Sequence, residues 1–166
     1  GRQMPQHYGH KDLRIVSQSS PTGTQFLQAV GCAMSRKWEN DHEIVYVSSG
    51  EGSTSEGEFH EALNWASREK LPIIFHIQDN EYAISVHVSE QTSGSSVFSM
   101  VNGYDNLSRY EVDGTNFFET DLAFREAIER ARQGKGPSVI VSNVVRLLSH
   151  SSSDDQKKYR KKEDLD

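Results

Sequence analysis

Segments with the apolar spacing of helices alternate with short apolar runs along most of this chain. Helices are predicted over 24–38, 56–70 and 117–134, and strands over 43–48, 73–78, 109–112 and 139–144. Chains that alternate strand, helix and strand build a parallel sheet with helices on both of its faces. We therefore predict an α/β fold in which the whole chain, 1–166, is one domain.

The remaining stretches are predicted as loops. Residues 1–21 and the polar end of the chain after 144 show no periodic pattern. Residues 85–107 are rich in Ser, Gly and Asn and are predicted as a long loop with a short helix near 97–101. Loops of this length are usually functional or mobile.

Charge and cysteine content exclude several classes of protein. The net charge of −6 argues against binding to nucleic acid or to a membrane surface. The single cysteine, Cys32, excludes an internal disulfide framework and is predicted to be a buried apolar residue. His76, inside a predicted strand, is expected to be packed. No apolar stretch reaches the length of a membrane span and no signal peptide is visible, so an intracellular protein is expected.

Two of the predicted strands end in turns that carry oxygen ligands. The triplet Gly50-Glu51-Gly52 follows the first strand, and Asn80-Glu81-Tyr82 follows the second. In a parallel sheet, ligands bind at the carboxyl ends of the strands. Glu51, the Asn80 side chain and a backbone carbonyl near Tyr82 are the kind of ligands that Mg²⁺ prefers. The glycines would let the backbone approach a diphosphate, and a helix after Gly52 would direct free N–H groups at it.

Ordinary turns explain the same residues without a ligand. Glu51 would then be a solvated acid and Asn80 a turn former. Ser53 or Thr54 would cap the helix that follows, which is compatible with either explanation of the glycines.

This layout resembles the diphosphate-binding motif of thiamine-diphosphate enzymes, in most of which the central acid is aspartate. Glutamate at this position is the variant associated with branched-chain 2-oxo acid dehydrogenases. Further stretches resemble the alpha subunits of those enzymes in order and spacing, namely 1–5 with 7–9, 19–25 with 28–31, and 146–155 with 159–160. Together these motifs cover nearly the whole chain, which therefore resembles the alpha subunit, or alpha portion, of a branched-chain 2-oxo acid dehydrogenase.

The resemblance implies oxidative decarboxylation of a branched-chain 2-oxo acid, with transfer of the acyl unit to a lipoyl group. It implies thiamine diphosphate and Mg²⁺ as cofactors, and K⁺ in some members. It also implies two partners, a beta subunit or portion that supplies the activating glutamate and a lipoyl-bearing acyltransferase. The chain alone should then be inactive. The expected compartment is the cytoplasm of a bacterium or the mitochondrial matrix of a eukaryote.

One motif of the family is missing from this sequence, and two other functional assignments stay open. The family's subunit is longer at both ends, and nothing here matches its upstream Tyr-Arg pair that holds the cofactor phosphates, so a fragment is expected. Pyruvate and acetoin dehydrogenases share the layout, although Glu51 and the 149–160 loop favour the branched-chain type. A non-catalytic assembly fragment is the other alternative.

Site residues carry over from the family position by position. Cofactor contacts are expected at Ser20, Thr22, Gly50, Glu51, Gly52, Ser53, Asn80 and His150, and magnesium ligands at Glu51, Asn80 and Tyr82. A K⁺ site is expected at Ser19, Pro21, Thr24 and Gln25. Capping of the first helix by Thr22 or Thr24 explains that last group equally well. Gln78 stands where the family often has arginine and would bring no positive charge to the phosphates.

The last loop resembles the family's regulatory histidine-serine loop. His150 is the candidate catalytic residue, because imidazole can hold a phosphate or pass a proton near neutral pH. Ser151 matches a serine that a dedicated kinase phosphorylates in mitochondrial members, and phosphate there would disorder the loop. Arg146 and Asp154 are expected to pair. Residues 147–158 are expected to be disordered or protease-sensitive until the cofactor binds.

Overall fold

The computed structural model describes residues 7–40 and 42–165, which form a parallel sheet with helices on both faces. In chain order the elements are α1 (Thr24–Trp38), β1 (Val45–Gly50), α2 (Gly57–Glu69), β2 (Ile73–Asp79), β3 (Tyr82–Ala83), β4 (Val86–His87), α3 (Val88–Gln91), α4 (Val97–Met100), β5 (Ser108–Asp113), α5 (Phe117–Arg132) and β6 (Ser138–Asn143). Single 3₁₀ turns span Glu51–Ser55, Ser93–Ser95, Val101–Gly103, Gln156–Lys158 and Lys162–Asp164. The sequence motif at 1–5 lies outside the described residues.

The sheet carries its strands in the order β1-β2-β6-β5, and every pairing in it is parallel. β6, although last in the chain, lies between β2 and β5. The register pairs Gly50 with Gln78 and Asp79 with Asn143, so neighbouring strands end at one level. The carboxyl ends of β1, β2 and β6 therefore share one edge of the sheet.

The larger core lies between the sheet and the layer formed by α1 and α2. Phe26 on α1, Phe59 on α2 and Phe75 on β2 are fully buried there. The rings of Phe26 and Phe59 have their centroids 4.9 Å apart, a separation at which aromatic rings attract each other beyond their buried area. This core fixes α2 against the sheet and hence the position of the turn that joins β1 to α2.

A smaller core lies on the opposite face, under α5. Ala123 and Ala127 of the helix pack with Ile74 and Ile140 of the sheet. Alanine on the buried side of a helix lets its backbone come close to the strands. The predicted α/β fold, with helices on both faces of a parallel sheet, is confirmed.

His76 is packed within β2, as predicted, and links three strands. Its Nδ1 lies 2.8 Å from the Tyr46 hydroxyl of β1, and its Nε2 lies 2.9 Å from Ser142 Oγ of β6. Phe124 of α5 packs edge-on against the imidazole. Burial lowers the pKa of His76 below its ordinary value of 6.5, because the charged ring would lose its hydration.

Most predicted elements agree with the structure to within two residues at each end, and the differences have local causes. The first strand begins at Val45 and continues to Gly50, because its pairing with β2 extends to Gln78. The prediction of a long loop over 85–107 is wrong in part, since this range contains β4, α3 and α4. Those elements are two to four residues long, too short for a periodic pattern. The short helix expected near 97–101 is confirmed as α4.

Two further sequence predictions concern burial and membranes. Cys32, predicted to be buried, is only half-buried on α1. Across 7–40 and 42–165, no helix combines the length and the apolar character needed to cross a membrane.

Candidate functional site

The turn after β1 holds the Gly50-Glu51-Gly52 triplet in a 3₁₀ turn. Glu51–Ser55 forms this turn, and α2 begins only at Gly57. The helix predicted over 56–70 is confirmed, and the residues between Gly52 and that helix form the 3₁₀ turn. The residue that precedes α2 is Glu56, so the alternative in which Ser53 or Thr54 caps that helix is wrong. Thr54 instead donates a 2.7 Å hydrogen bond to the Glu51 carbonyl and stabilises the turn.

Glu51 is buried, which an ordinary surface turn does not explain. The residue is 1% exposed, and Oε2 accepts a 3.2 Å hydrogen bond from the Asn80 backbone N–H. Oε1 is also buried and has no hydrogen-bond partner in the described part of the chain. Burial is the main cause of a raised pKa of Glu51. The Asp79 carboxylate raises this pKa further, and the Asn80 N–H and Arg146 lower it. A buried carboxylate oxygen without a partner is costly, and a bound cation would offset that cost.

The turn after β2 brings Asn80 against Glu51. Asp79 Oδ1 accepts a 2.8 Å hydrogen bond from the Glu81 N–H, and Asn80 Oδ1 accepts one of 3.3 Å from the Tyr82 N–H. Glu81 adopts a φ of 69°, which reverses the chain sharply. An amide oxygen has two lone pairs, so Asn80 can hold this turn and still ligate a cation.

The hairpin of β3 and β4 leaves the Tyr82 carbonyl available. Val88 donates a 2.8 Å hydrogen bond to the Glu81 carbonyl, which makes these two residues a hydrogen-bonded pair. Tyr82, the next residue along, pairs with His87 at a position where antiparallel strands exchange no backbone hydrogen bonds. No cluster of three or more His, Cys, Asp or Glu that could hold a metal occurs within the described ranges. A cation here would therefore rely on one carboxylate with amide and carbonyl oxygens.

Gly52 is required by close packing within the protein. A Cβ at this position would lie 2.8 Å from the Cβ of Ala83 in β3. At Gly50 the backbone is extended, with a φ of −77°, and the nearest atom to a Cβ would be 3.9 Å away. Gly52 thus lets the β3–β4 hairpin pack closely against the turn, whereas a Cβ at Gly50 would meet no such close contact.

Gln91 contacts the same turn and was not singled out by the sequence. Its Nε2 donates to the Gly52 carbonyl and to Ser55 Oγ at 3.0 Å each, with a longer contact of 3.4 Å to the Glu51 carbonyl. Gln91 ends α3, inside the stretch predicted as a loop. A glutamine in a Ser-rich segment carries no pattern that would have identified this contact.

The residues expected to hold K⁺ are partly brought together at the start of α1. The Thr24 hydroxyl donates a 2.9 Å hydrogen bond to the Pro21 carbonyl and shares another hydrogen bond with the Ser19 hydroxyl. Gln25 is directed towards β1, where its Nε2 donates to Ser49 Oγ at 3.3 Å. Its Oε1 is buried without a partner among the residues that the structure describes. This oxygen-only donor set suits a hard cation.

α1 begins without a side-chain cap. Gly23 precedes the helix with a φ of 91°, a left-handed conformation that favours glycine, and no side chain caps the first turn. The alternative in which Thr22 or Thr24 caps α1 is therefore wrong. Ser20 and Thr22, the expected cofactor contacts in this loop, are exposed, as is Gln78 at the end of β2.

The loop after β6 is anchored to the hairpin by Arg146. Its Nη1 donates to the Ile84 carbonyl at 2.8 Å, and its Nη2 donates to the Tyr159 hydroxyl at 2.5 Å. The Tyr159 hydroxyl donates in turn to Asp154 Oδ2 at 2.6 Å, which is the main cause of a lowered pKa of Asp154. Arg146 and Asp154 are thus joined through Tyr159, where the sequence suggested a direct pair.

His150 and Ser151 lie at the exposed part of this loop. The His150 backbone N–H donates to Asp154 Oδ2 at 2.8 Å, and Ser151 Oγ lies 3.1 Å from Ser153 Oγ. The charge of Arg146 also lowers the pKa of Glu51, less than burial raises it.

Comparison with known sequences identifies the class of protein that carries this site. The sequence model of the family described as "Dehydrogenase E1 component" matches residues 1–166, so the chain belongs to this family. It is 42% identical to the 2-oxoisovalerate dehydrogenase subunit alpha of Bacillus subtilis, over all of this chain and 50% of that protein. It is also 42% identical to the mitochondrial 2-oxoisovalerate dehydrogenase subunit alpha of Homo sapiens, over 96% of this chain and 36% of that protein.

A third relative supports the family, and two solved structures share the fold. The 3-methyl-2-oxobutanoate dehydrogenase subunit alpha of Mycobacterium tuberculosis is 39% identical over 89% of this chain and 40% of that protein. The chain thus spans half or less of the length of these relatives. A protein of Mycobacterium smegmatis, described as a candidate thiamin diphosphate-dependent enzyme, superimposes on 78% of this chain and 23% of its own, with a TM-score of 0.58 and 24% identity. Transketolase of Campylobacter jejuni superimposes on 75% of this chain and 20% of its own, with a TM-score of 0.65 and 22% identity. These two structures share the fold.

Proposed function

We propose that this chain forms the diphosphate-binding part of the alpha subunit of a branched-chain 2-oxo acid dehydrogenase. The reaction would be oxidative decarboxylation of the 2-oxo acid with acyl transfer to a lipoyl group. The names of the relatives that match over most of this chain support the substrate class. Because the chain spans half or less of the length of these relatives, the activity of the whole protein is part of the proposal.

The observation that carries the proposal is the unpartnered, buried Oε1 of Glu51. A carboxylate in this position fits a magnesium ion, with the Asn80 side chain and the Tyr82 carbonyl as further oxygen ligands. The ion would lower the raised pKa of Glu51 and keep the carboxylate charged. It would also hold the diphosphate of thiamine diphosphate against this edge of the sheet.

The cofactor, when bound, supplies the electron sink that decarboxylation of a 2-oxo acid requires. The chain's own residues bind and orient it. Gly50, Gly52 and Ser53 would approach the diphosphate through backbone and hydroxyl donors. Ser20 and Thr22 would contact the aminopyrimidine ring through backbone groups that are accessible in the exposed loop.

Two further sites support the same function. Ser19, the Pro21 carbonyl, Thr24 and the unpaired Oε1 of Gln25 would hold K⁺ and keep the loop before α1 in place. His150, exposed on the last loop, would contact the cofactor and assist transfer to the lipoyl group of an acyltransferase partner.

The cofactor-activating acid is proposed to come from a beta partner. Among the described residues the buried acids are Glu51 and Asp79. Glu51 is assigned to the cation, and Asp79 accepts the Glu81 N–H that shapes its own turn. Neither is then available as the acid that activates the aminopyrimidine.

Calorimetric titration with thiamine diphosphate tests the proposal. The chain, alone and together with its beta partner, should bind the cofactor in the presence of Mg²⁺ and lose at least about 90% of this binding when Mg²⁺ is chelated, because the ion would offset the repulsion between the diphosphate and the Glu51 carboxylate. Thiamine without its diphosphate is the matched control and should not depend on Mg²⁺. Absence of binding in all of these samples would favour the non-catalytic assembly fragment.

The loop with His150 and Ser151 leads to a separate prediction. A carboxylate at 151 would stand close to Asp154, which holds the loop through the His150 N–H. Ser151→Glu should therefore loosen the loop and lower the activity of the complete enzyme about ten-fold, which corresponds to ~1.4 kcal/mol. Ser151→Gln is the uncharged control of the same size and should remain close to wild type.

Limited proteolysis measures the same loop directly, because Lys157 and Lys158 are exposed tryptic sites within it. Cleavage should be faster without thiamine diphosphate than with it, and faster in Ser151→Glu than in Ser151→Gln. Equal cleavage in both states, together with a fully active Ser151→Glu enzyme, would show that this loop is not a switch.

A further inference from the structure

Gln91 joins two parts of the candidate site that lie far apart in the sequence. Its amide nitrogen contacts the Glu51 and Gly52 carbonyls and the Ser55 hydroxyl. An amide NH₂ group has two hydrogens, so the two 3.0 Å contacts are its main hydrogen bonds and the 3.4 Å contact is a weaker third. The Gln91 side chain, at the end of α3, therefore holds the 3₁₀ turn in place.

The held carbonyls determine where the neighbouring N–H groups point. In a planar trans peptide, the C=O and the following N–H point in opposite directions. With the Glu51 and Gly52 carbonyls facing Gln91, the N–H groups of Gly52 and Ser53 face away from α3. The same contacts fix the backbone that carries the Glu51 side chain.

α3 is also tied to the second half of the site. Val88, its first residue, donates to the carbonyl of Glu81 in the Asn80 turn at 2.8 Å. Ala83 in the adjoining hairpin contacts Gly52 from a second side. A helix of four residues thus connects the two turns, since the Gln91 side chain at its end bonds to the Glu51 turn and the Val88 N–H at its start bonds to the Asn80 turn.

We propose that Gln91 is a positioning residue for the cofactor site. It holds the Glu51 turn at a fixed distance from the Asn80 turn, so that the carboxylate and the amide oxygen can reach one Mg²⁺ ion. This inference rests on the proposed function, because it concerns the geometry of that same ion and diphosphate.

Packing alone does not account for this arrangement. A leucine would occupy a similar volume at the end of α3 and would satisfy a purely structural requirement. It could not donate to the Gly52 carbonyl or to Ser55 Oγ, and the turn would then relax towards water. Ligand geometry around Mg²⁺ is demanding, so a small displacement of the turn should weaken cofactor binding more than it weakens folding.

Three substitutions test this inference. Gln91→Leu removes both N–H donors, and Gln91→Glu keeps the shape but places an acceptor opposite the carbonyls. Gln28→Leu, at an exposed position on α1, is the matched control for the loss of a glutamine. The measurements are calorimetric affinity for thiamine diphosphate in Mg²⁺, thermal unfolding without cofactor, and steady-state kinetics of the complete enzyme.

Both Gln91 variants should bind the cofactor about ten-fold more weakly than wild type, the size expected for loss of one good hydrogen bond at the site. Their unfolding midpoints without cofactor should stay close to that of Gln28→Leu. In the complete enzyme the KM for thiamine diphosphate should rise about ten-fold, while kcat at saturating cofactor changes less than about two-fold.

The outcomes separate this inference from the proposed function. Wild-type protein that does not bind thiamine diphosphate would overturn the proposed function and this inference with it. Wild-type binding together with unchanged affinity in Gln91→Leu would overturn only the role of Gln91. If Gln91→Leu fails to fold, Gln91→Glu decides, and unchanged affinity in a folded Gln91→Glu protein would also overturn that role.

Discussion

Glu51→Gln should abolish magnesium-dependent binding of thiamine diphosphate, with an affinity loss of at least about 100-fold, or ~2.7 kcal/mol. The substitution keeps the size of the side chain and removes the charge that would attract the ion. Calorimetric titration of the complete enzyme measures the loss. Glu56→Gln, an exposed acid five residues further on, is the control and should bind as wild type does. Unchanged affinity for thiamine diphosphate in Glu51→Gln would contradict the assignment of Glu51 as a magnesium ligand.

The same variant should be more stable than wild type when no cation is present. Burial raises the pKa of Glu51 above its ordinary value of 4.5. The folded protein therefore binds a proton there that the unfolded chain has already lost, and the free energy of unfolding falls as the pH rises from 4.5 through the folded-state pKa. Glu51→Gln removes this dependence, which denaturant unfolding at a series of pH values detects. Added Mg²⁺ should stabilise only the wild type.

The isolated chain should not decarboxylate branched-chain 2-oxo acids until a beta partner is added. We expect this because the acids buried among the described residues, Glu51 and Asp79, are proposed to hold the cation and the Asn80 turn, and the activating acid is proposed to come from the partner. Turnover should rise from background by at least about 1,000-fold on reconstitution, within the range that a missing catalytic group accounts for. The assay uses several branched 2-oxo acids with saturating cofactor and Mg²⁺.

A control separates this dependence from simple failure to bind cofactor. The isolated chain and the reconstituted enzyme are titrated with thiamine diphosphate before each assay. Turnover by the isolated chain would contradict the division of labour between the two partners. Turnover on pyruvate exceeding that on every branched substrate would contradict the substrate class while leaving the division intact.

The order of the elements was predictable because helix and strand periodicities are local properties of the sequence. α1 spans 24–38 as predicted, and β1 and β2 each end in the expected oxygen-bearing turn. The family resemblance was also available from motifs that stand in order along the chain, and the family match over 1–166 confirms it. The order of strands in the sheet could not be predicted from the sequence, because β6 lies between β2 and β5 through long-range contacts that no local pattern indicates.

The details of the site depended on contacts between distant segments. The sequence could identify Glu51 and Asn80 as candidate oxygen ligands, but burial of one carboxylate oxygen without a partner requires β1, β2 and the hairpin to be assembled. The bridge from Arg146 through Tyr159 to Asp154 arises in the same way, from a loop that folds back on itself.

The sequence alone therefore determined the alternating architecture, the family and the candidate ligands, since each of these is written in residue type and spacing. Only the tertiary structure decided that Gly52 packs on Ala83, that a 3₁₀ turn precedes α2, and that Gln91 holds that turn. Close packing and side-chain hydrogen bonds depend on atoms that are brought together from positions about 30 to 40 residues apart, and no short-range pattern encodes such distances.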